Sequence, residues 1–322
     1  MSDPAVSTPV LEVRDLEVEF ATYGGVVKAV RGVSYAVERG RALAVVGESG
    51  CGKSVTVQAI MGLIDMPPGR ITGGSARLLG QELIGLGARA INRVRGAAIG
   101  MIFQDPMTSL NPTMKIGSQI AETLIAHRGM ARREALAQAV QLLDRTRIPE
   151  AGKRANQYPF ELSGGMLQRV MIAISLACKP ALLIADEPST ALDVTIQNQV
   201  LELMREIQRE EGMAIVLITH DLGVVARMAD DVAVMYAGRI VESGPVEDIF
   251  YRSAHPYTTG LKRAMPGAAR THRKLVAIAG SPPDLFAVPP GCAYAPRCPH
   301  AMNICAVHDL SLIHISEPTR PY

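Results

Sequence analysis

Residues Gly47–Ser54 read GESGCGKS, and this stretch decides the fold. It matches the pattern G-x-x-x-x-G-K-[ST] and lies between an apolar run, Arg41–Val46, and a segment of helical periodicity that starts at Val55. A glycine-rich loop between a strand and a helix turns its backbone N–H groups toward bound phosphate. The sequence therefore predicts a phosphate-binding loop.

Each residue of this loop has an expected part. Gly47, Gly50 and Gly52 permit backbone conformations that residues with a Cβ avoid. Lys53 would direct its charge at the β- and γ-phosphates of a nucleotide, and the Ser54 hydroxyl would ligate Mg²⁺. The remaining residues that we assign to this site are Glu48, Ser49, Cys51 and Val55, with Cys51 as a bystander.

Further apolar runs extend the fold beyond the loop. Ala181–Ala185 and Ala214–Thr219 are short and continuous, and each lies close to a helical pattern. Buried strands that alternate with helices predict a parallel sheet in an α/β fold. Apolar and polar residues alternate over Leu11–Phe20 and Val33–Val37, which predicts an antiparallel β subdomain.

Two acidic residues, Asp186 and Glu187, follow the run Ala181–Ala185 directly. A buried strand that ends in aspartate delivers this carboxylate to the edge of the sheet where nucleotides bind, so Asp186 is expected to hold Mg²⁺. Glu187 would point elsewhere and polarise an attacking water as a general base.

The composition narrows the class of protein. The 322 residues carry a net charge of only +2, which disfavours a nucleic-acid partner. No apolar run comes near the length of about 20 residues that a membrane helix needs. The start of the chain has no basic region followed by an apolar segment, so we expect no signal peptide and a cytoplasmic location.

We divide the chain into three parts. Residues 1–250 form the core, with a helical insertion at about 105–165. Residues 251–309 are rich in proline and poor in periodicity, which indicates a small, loop-rich C-terminal module. The segment 310–322 reads LSLIHISEPTRPY and resembles the translation of a sequencing adapter; a genuine amphipathic tail is the alternative.

Further motifs indicate which kind of phosphate-loop protein this is. Gln104 follows an apolar strand in GMIFQDP, residues Leu162–Gln168 read LSGGMLQ, and His220 follows another strand in LITHDL. These motifs resemble the Q-loop, the signature motif and the switch histidine of ABC-type ATPases, and ALD at Ala191–Asp193 resembles their D-loop. The resemblance covers about residues 11–250 and implies a P-loop NTPase fold with an ABC-type ATPase core.

The resemblance implies a mechanism in which two ATPase domains pack head to tail. ATP and Mg²⁺ would rest on Lys53 of one domain and be closed by Ser163, Gly164 and Gly165 of the other. Glu187 would orient the attacking water, His220 would contact the γ-phosphate region, and Gln104 would sense the metal and the nucleotide. The adenine is expected to stack on an aromatic side chain before the first core strand, for which Tyr23 and Phe20 are the candidates.

One branch of the family is closer than the others. Met166 in LSGGM, the stretch Ala254–Pro266 (AHPYTTGLKRAMP) and the stretch Gly280–Cys305 resemble the ATPase subunits of dipeptide and oligopeptide permeases. This resemblance implies a second, different ATPase subunit, two transmembrane permease subunits and an extracytoplasmic peptide-binding protein as partners. It also implies a peripheral location on the cytoplasmic face of the inner membrane.

Three cysteines, Cys292, Cys298 and Cys305, cluster near the end of the chain, and such soft ligands favour iron–sulfur or zinc. The resemblance implies a [4Fe–4S] cluster whose fourth cysteine lies further on. His300 or His308 completing a zinc site, and three reduced thiols without metal, are the alternatives.

Two other functions stay open. Relatives in the same branch import nickel or other small solutes. Soluble ABC ATPases act on ribosomes or DNA, but these usually carry two ATPase domains or long coiled coils. A P-loop kinase or GTPase is disfavoured by the LSGGM motif and by His220.

Overall fold

The computed structural model describes residues 8–188, 193–264 and 277–308. The segment 310–322, and residues 191 and 192 of the ALD motif, lie outside these ranges. Within the described ranges, no helix has the length and apolar character that crossing a membrane requires.

The elements are numbered in chain order. The strands are β1 (Leu11–Thr22), β2 (Gly25–Val37), β3 (Ala42–Val46), β4 (Gly69–Leu78), β5 (Gln81–Glu82), β6 (Ile99–Ile102), β7 (Leu182–Asp186), β8 (Ala214–Thr219), β9 (Asp231–Tyr236) and β10 (Arg239–Pro245). The helices are α1 (Lys53–Ile60), α2 (Ala88–Val94), α3 (Pro106–Ser109), α4 (Ile116–Arg128), α5 (Arg132–Arg145), α6 (Ala151–Arg154), α7 (Gly164–Leu176), α8 (Val194–Glu211), α9 (Leu222–Met228), α10 (Val246–Tyr251) and α11 (Pro256–Arg263).

The chain divides into two compact units, which are described separately. The first unit comprises Met1–Leu11, Val37–Ala42 and Leu78–Ile218. The second unit comprises Glu12–Ala36, Leu43–Arg77 and Thr219–Tyr322.

The first unit contains a parallel arrangement of β6, β7 and β8, with β7 in the middle. Every residue of β7 and β8 is buried, as expected for strands that are covered on both faces. The register pairs Ile102 of β6 with Ala185 of β7, and Asp186 of β7 with Ile218 of β8. The predicted buried parallel strands are therefore confirmed, and their carboxyl ends lie side by side.

Helices pack against these strands, and α3 to α6 lie in the part of the chain, about 105–165, for which the sequence predicts a helical insertion. The helix α7 packs against β6 and also contacts α3, α4, α5 and α8. Its Ser175 hydroxyl donates to the carbonyl of Met101, with 2.7 Å between the oxygens. At the end of α5, Arg145 forms ion pairs of 2.7 Å with both Glu210 and Glu211 of α8.

The second unit contains β9 and β10 and most of β1, β2, β3 and β4. β9 pairs with β3 in parallel and with β10 in antiparallel orientation. β1 lies between β2 and β4 in a separate sheet. Buried and exposed positions alternate along much of β1 and β2, which confirms the half-buried strands predicted from their alternating sequence.

The C-terminal region contributes to the core of the second unit. Tyr257 is fully buried and Tyr294 is 3% exposed, and both belong to one apolar cluster with residues of β3, β9 and α9. Tyr236 of β9 lies between them, with ring centroids 4.5 Å from Tyr257 and 5.3 Å from Tyr294. Residues after 250 thus complete a hydrophobic core rather than only adding a surface module.

Candidate functional site

The phosphate loop, Gly47–Ser54, joins β3 to α1 in the second unit. Gly52 stands at the N-cap of α1 with φ +101°, and a Cβ there would come within 2.3 Å of the carbonyl oxygen of Ala29. Gly50 also has a positive φ, +79°. The first turn of α1 holds no acidic residue, so the positive end of its dipole is available to an anion. These features suit a phosphate site, and phosphate binding at this loop stays a prediction.

Lys53 lies inside this loop and is only 6% exposed. Its Nζ donates to the carbonyl oxygens of Gly47 and Glu48, at 2.8 and 2.9 Å. The ammonium group of Lys53 therefore ties the end of the loop to its start at Gly47 and Glu48. An ammonium group has three N–H bonds; two serve these carbonyls, and a bound phosphate would compete for the third with the Cys51 sulfur, which lies 3.8 Å away.

The remaining loop residues differ in exposure. Ser49 is exposed, Ser54 and Val55 are half-buried, and Cys51 is buried. Burial raises the pKa of the Cys51 thiol, although the ammonium group of Lys53 acts in the opposite direction. Because a protonated thiol is a poor nucleophile and metal ligand, the environment of Cys51 fits a packing role.

Glu48 has contacts that the sequence does not indicate. Its backbone N–H donates to the Tyr257 hydroxyl oxygen at 2.9 Å. Both of its carboxylate oxygens accept from the guanidinium of Arg297, at 2.6 and 3.0 Å. The Glu48 carboxylate in turn raises the pKa of Arg297. The partners lie more than 200 positions away along the chain, so no local pattern could have revealed them.

The two candidate aromatic residues have different surroundings. Tyr23 is fully exposed at the turn between β1 and β2, which a hydrogen bond from the Thr22 hydroxyl to the Gly25 carbonyl closes at 2.9 Å. Phe20 is half-buried, and its ring lies near Gly69 at the start of β4. Tyr23 is therefore the more exposed of the two candidates.

The first unit brings Gln104 and Glu187 together. Gln104 follows the carboxyl end of β6, and Glu187 follows the carboxyl end of the adjacent parallel strand β7. The Gln104 Nε2 donates to the Glu187 carboxylate at 3.1 Å. The Glu187 N–H donates to the carbonyl of Ile218 at 2.9 Å, and its backbone has a left-handed φ of +47°. Asp186, which precedes it and ends β7, is buried, whereas Glu187 is half-buried.

The LSGGM loop begins α7 in the first unit. Ser163 stands at the N-cap, but its side chain makes no capping hydrogen bond. Ser163 and Gly164 are exposed, and Gly165 is half-buried. A Cβ on Gly165 would lie 2.8 Å from a methyl group of Ile196 at the start of α8, whereas one on Gly164 would meet nothing. The start of α7 at Ser163 and Gly164 is therefore exposed to solvent.

His220 belongs to the second unit and directly follows β8. It is exposed, whereas Thr219 before it is buried. The next residue, Asp221, caps α9 by accepting a hydrogen bond from the Gly223 N–H at 2.7 Å. The cap fixes the backbone on one side of His220, and the end of β8 fixes it on the other.

The predicted cysteine ligands are not assembled into a metal site. The Cys292 N–H donates to the Cys305 carbonyl at 2.8 Å, and the Cys305 sulfur accepts from the Met302 N–H at 3.4 Å. Across the residues that the structure describes, no group of three His, Cys, Asp or Glu side chains could hold a metal ion. This finding does not support either the iron–sulfur site or the zinc site with His300 or His308. The backbones of Cys292 and Cys305 meet, but the side chains of the three cysteines do not come together as a ligand set.

The comparison with protein-family models decides the family. The model described as ABC transporter matches residues 30–190. The chain belongs to the ABC transporter family. A second model, described as the oligopeptide/dipeptide transporter C-terminal region, matches residues 241–305 of this ABC protein.

Relatives of this ABC protein are similar over almost its whole length. It is 54% identical to an oligopeptide transport ATP-binding protein, OppD, of Bacillus subtilis, over 96% of this chain and 87% of the relative. It is 52% identical to a dipeptide transport ATP-binding protein, DppD, of the same organism, over 92% of this chain and 88% of the relative.

Solved structures agree with the fold class. A dimeric structure of the ATP-binding cassette MJ0796 in a post-hydrolysis state, bound to ADP and Pi, is 26% identical, with a TM-score of 0.66 over 73% of this chain and 98% of that one. The structure of cbiO1 from Clostridium perfringens, part of an ABC transporter complex, is 27% identical, with a TM-score of 0.64 over 76% and 91%. The α/β P-loop NTPase fold predicted for this ABC protein is thereby confirmed.

Proposed function

We propose that this chain binds and hydrolyses ATP to power an ABC importer of dipeptides or oligopeptides. The observation that carries the proposal is the phosphate loop at the start of α1, with a buried Lys53 and no acid in the first helical turn. The peptide substrate is supported by the names of the relatives and by the match to the oligopeptide/dipeptide transporter C-terminal region.

The side chains would divide the work of hydrolysis. Lys53 and the loop N–H groups bind the phosphates, and the exposed ring of Tyr23 stacks on the adenine in preference to Phe20. Glu187 accepts the proton of the attacking water, and Gln104 holds that carboxylate until the substrate arrives. His220 contacts the γ-phosphate region. The Gln104–Glu187 hydrogen bond supports this division, because it keeps the base oriented by a neutral donor.

The donor set suits Mg²⁺, which is bound by oxygen atoms. The resemblance to ABC-type ATPases assigns the Ser54 hydroxyl, the Asp186 carboxylate and Gln104 to this ion. When bound, the ion neutralises charge on the phosphate oxygens. We assign no part to an iron–sulfur cluster, because the described cysteines do not form a ligand set.

A second ATPase subunit would complete the site, in a head-to-tail pair. Ser163 and Gly164 are exposed at the N-terminus of α7, where N–H donors and the helix dipole suit the γ-phosphate of ATP on a partner. The solved MJ0796 cassette is described as dimeric. We propose a heterodimer, following the branch of the family that this chain resembles.

The helical insertion would receive the membrane partner. α4 and α5 border a mainly apolar groove of 280 Å³, lined by Met114, Ala121, Ile125 and Leu136 together with Glu122 and Arg132. A short amphipathic helix from one of the two permease subunits would suit such a groove. The chain would then lie on the cytoplasmic face of the membrane, and an extracytoplasmic binding protein would deliver the peptide.

Transport in reconstituted vesicles tests the proposal. The full chain is assembled with its partner ATPase, permease subunits and binding protein, and uptake of labelled dipeptide, oligopeptide and nickel is compared with ATP hydrolysis. We expect uptake of peptides only, and Lys53→Ala should lower it about tenfold or more through weaker ATP binding. Lys153→Ala serves as the control, because that lysine is 67% exposed on α6.

Two results would contradict the proposal. Nickel uptake without peptide uptake would move the chain to another substrate class. Recovery of the chain from cell extracts only with ribosomes or DNA, and never with membrane proteins, would contradict the importer as a whole.

A further inference from the structure

All polar groups of Glu48 are engaged within the second unit. Its N–H donates to the Tyr257 hydroxyl, its carbonyl accepts from Lys53, and its carboxylate accepts twice from Arg297. One residue of the phosphate loop is thus fixed from two sides by the C-terminal region. A residue that only filled space would need none of these contacts.

Arg297 is itself held firmly. Its side chain is 5% exposed, and its Nε donates to the carbonyl of Ala279 at 2.9 Å. One terminal nitrogen also donates to the Tyr236 hydroxyl at 3.3 Å, and the guanidinium lies 5.8 Å from the centre of that ring. A planar guanidinium with its donors occupied defines one position for the carboxylate that it binds.

The hydroxyl that binds the Glu48 N–H is equally well positioned. Tyr257 is fully buried, and its own N–H donates to the Nδ1 of His255 at 3.1 Å. The neighbouring Glu242 carboxylate accepts from the N–H groups of Ala254 and His255, at 2.7 and 3.2 Å. These bonds give the AHPYT stretch a structural purpose: they fix the start of α11 and with it the tyrosine.

Charge gives Arg297 a second effect. The Glu48 carboxylate belongs to a loop that, on the proposed function, must accept several negative charges of ATP. Like charges at short range repel each other, most strongly where little water screens them. The guanidinium neutralises the Glu48 carboxylate and holds both of its oxygens by hydrogen bonds.

We propose that Arg297 and Tyr257 are positioning residues through which the C-terminal region sets the affinity of the phosphate loop for ATP. The inference rests on the proposed function, since it concerns ATP binding at Lys53. It assigns to the C-terminal region a direct part in nucleotide binding. The peptide-importer role by itself does not require such a part.

Nucleotide titration of the full chain tests this. The dissociation constant of a fluorescent ATP analogue is measured for the parent, Arg297→Gln, Arg297→Lys and the double variant Glu48→Gln with Arg297→Gln. We expect Arg297→Gln to weaken binding about tenfold or more, because it leaves a carboxylate unpaired beside the phosphates. Arg297→Lys should lose less, since it keeps the charge but not the two-pronged geometry.

The double variant separates positioning from general damage. Removing the Glu48 charge as well should recover much of the lost affinity, so that the two effects are not additive. Arg252→Gln is the matched control, because Arg252 lies just beyond α10, is 75% exposed and pairs with Asp248 of that helix. It should bind like the parent.

The outcomes are distinguishable. An Arg297→Gln protein that is folded and binds the analogue like the parent overturns the inference, and so does a double variant that binds still more weakly. If Arg297→Gln does not fold, Tyr257→Phe replaces it. That variant removes only the oxygen that accepts from Glu48, and unchanged affinity would again overturn the inference. A parent chain that binds no ATP overturns the proposed function itself.

Discussion

Replacing the proposed base, Glu187→Gln, should stop hydrolysis while leaving the fold and the binding of ATP intact. The amide oxygen of glutamine can still accept the hydrogen bond that Gln104 donates at 3.1 Å. Exchanging a charged acceptor for a neutral one at this half-buried position should cost about 1 kcal/mol of folding stability or less. The chemical step should suffer far more, because general bases contribute roughly 10²- to 10⁴-fold to rates.

That rate loss corresponds to about 2.7–5.4 kcal/mol in the activation barrier, at about 1.36 kcal/mol for each factor of ten. Phosphate release by the assembled transporter measures it, and nucleotide titration and thermal unfolding of the chain check binding and fold. Size-exclusion chromatography with ATP should also show a longer-lived ATPase pair. Glu202→Gln on the exposed face of α8 is the matched acid-to-amide control. A general base contributes far more than threefold to a rate, so turnover of Glu187→Gln within about threefold of the parent would refute the assignment of the base.

Three further predictions concern binding and stability. Tyr23→Ala should weaken ATP binding roughly 5- to 150-fold in a nucleotide titration, because one stacking contact is lost. A loss of this size for Phe20→Ala, with none for Tyr23→Ala, would reverse the assignment. Leu124→Ala in α4 should lower the free energy of unfolding in urea by about 2–5 kcal/mol, because this side chain is fully buried, and a loss below about 1 kcal/mol would contradict that packing. Gly165→Ala should lower it by about 1–3 kcal/mol through the contact with Ile196, whereas Gly164→Ala, with open space, should not; equal effects would disprove the contact.

Sequence reasoning works well where a function needs a continuous stretch. The phosphate loop needs glycines at fixed intervals, and an apolar strand before it is fully buried in the structure. The positions of Gln104 and Glu187 could also be predicted as strand-end residues. Their mutual hydrogen bond follows from the parallel register of β6 and β7, because adjacent carboxyl ends bring the next residues together.

Prediction from sequence fails where the interacting residues are far apart along the chain. It also fails where the backbone conformation determines the direction of a side chain. Glu48 and Arg297 are 249 positions apart, and an acid in a loop gives no sign of which base it will meet. The cysteines show the opposite error. Their spacing predicted converging sulfurs, but the backbone of Cys292 pairs with that of Cys305. Side-chain direction depends on local dihedral angles, which spacing alone does not determine.

The tyrosines of the C-terminal region have a consequence for how this protein could have evolved. Tyr257 and Tyr294 pack with β9 and with residues of β3, so a chain that stopped near residue 250 would expose a face that is now dry. Such a chain would also lose the acceptor of the Glu48 N–H. Gain or loss of this region by gene fusion would therefore require compensating substitutions in the catalytic core. Recombination between relatives should be tolerated when the C-terminal region and the strands that it packs against are inherited together from one parent.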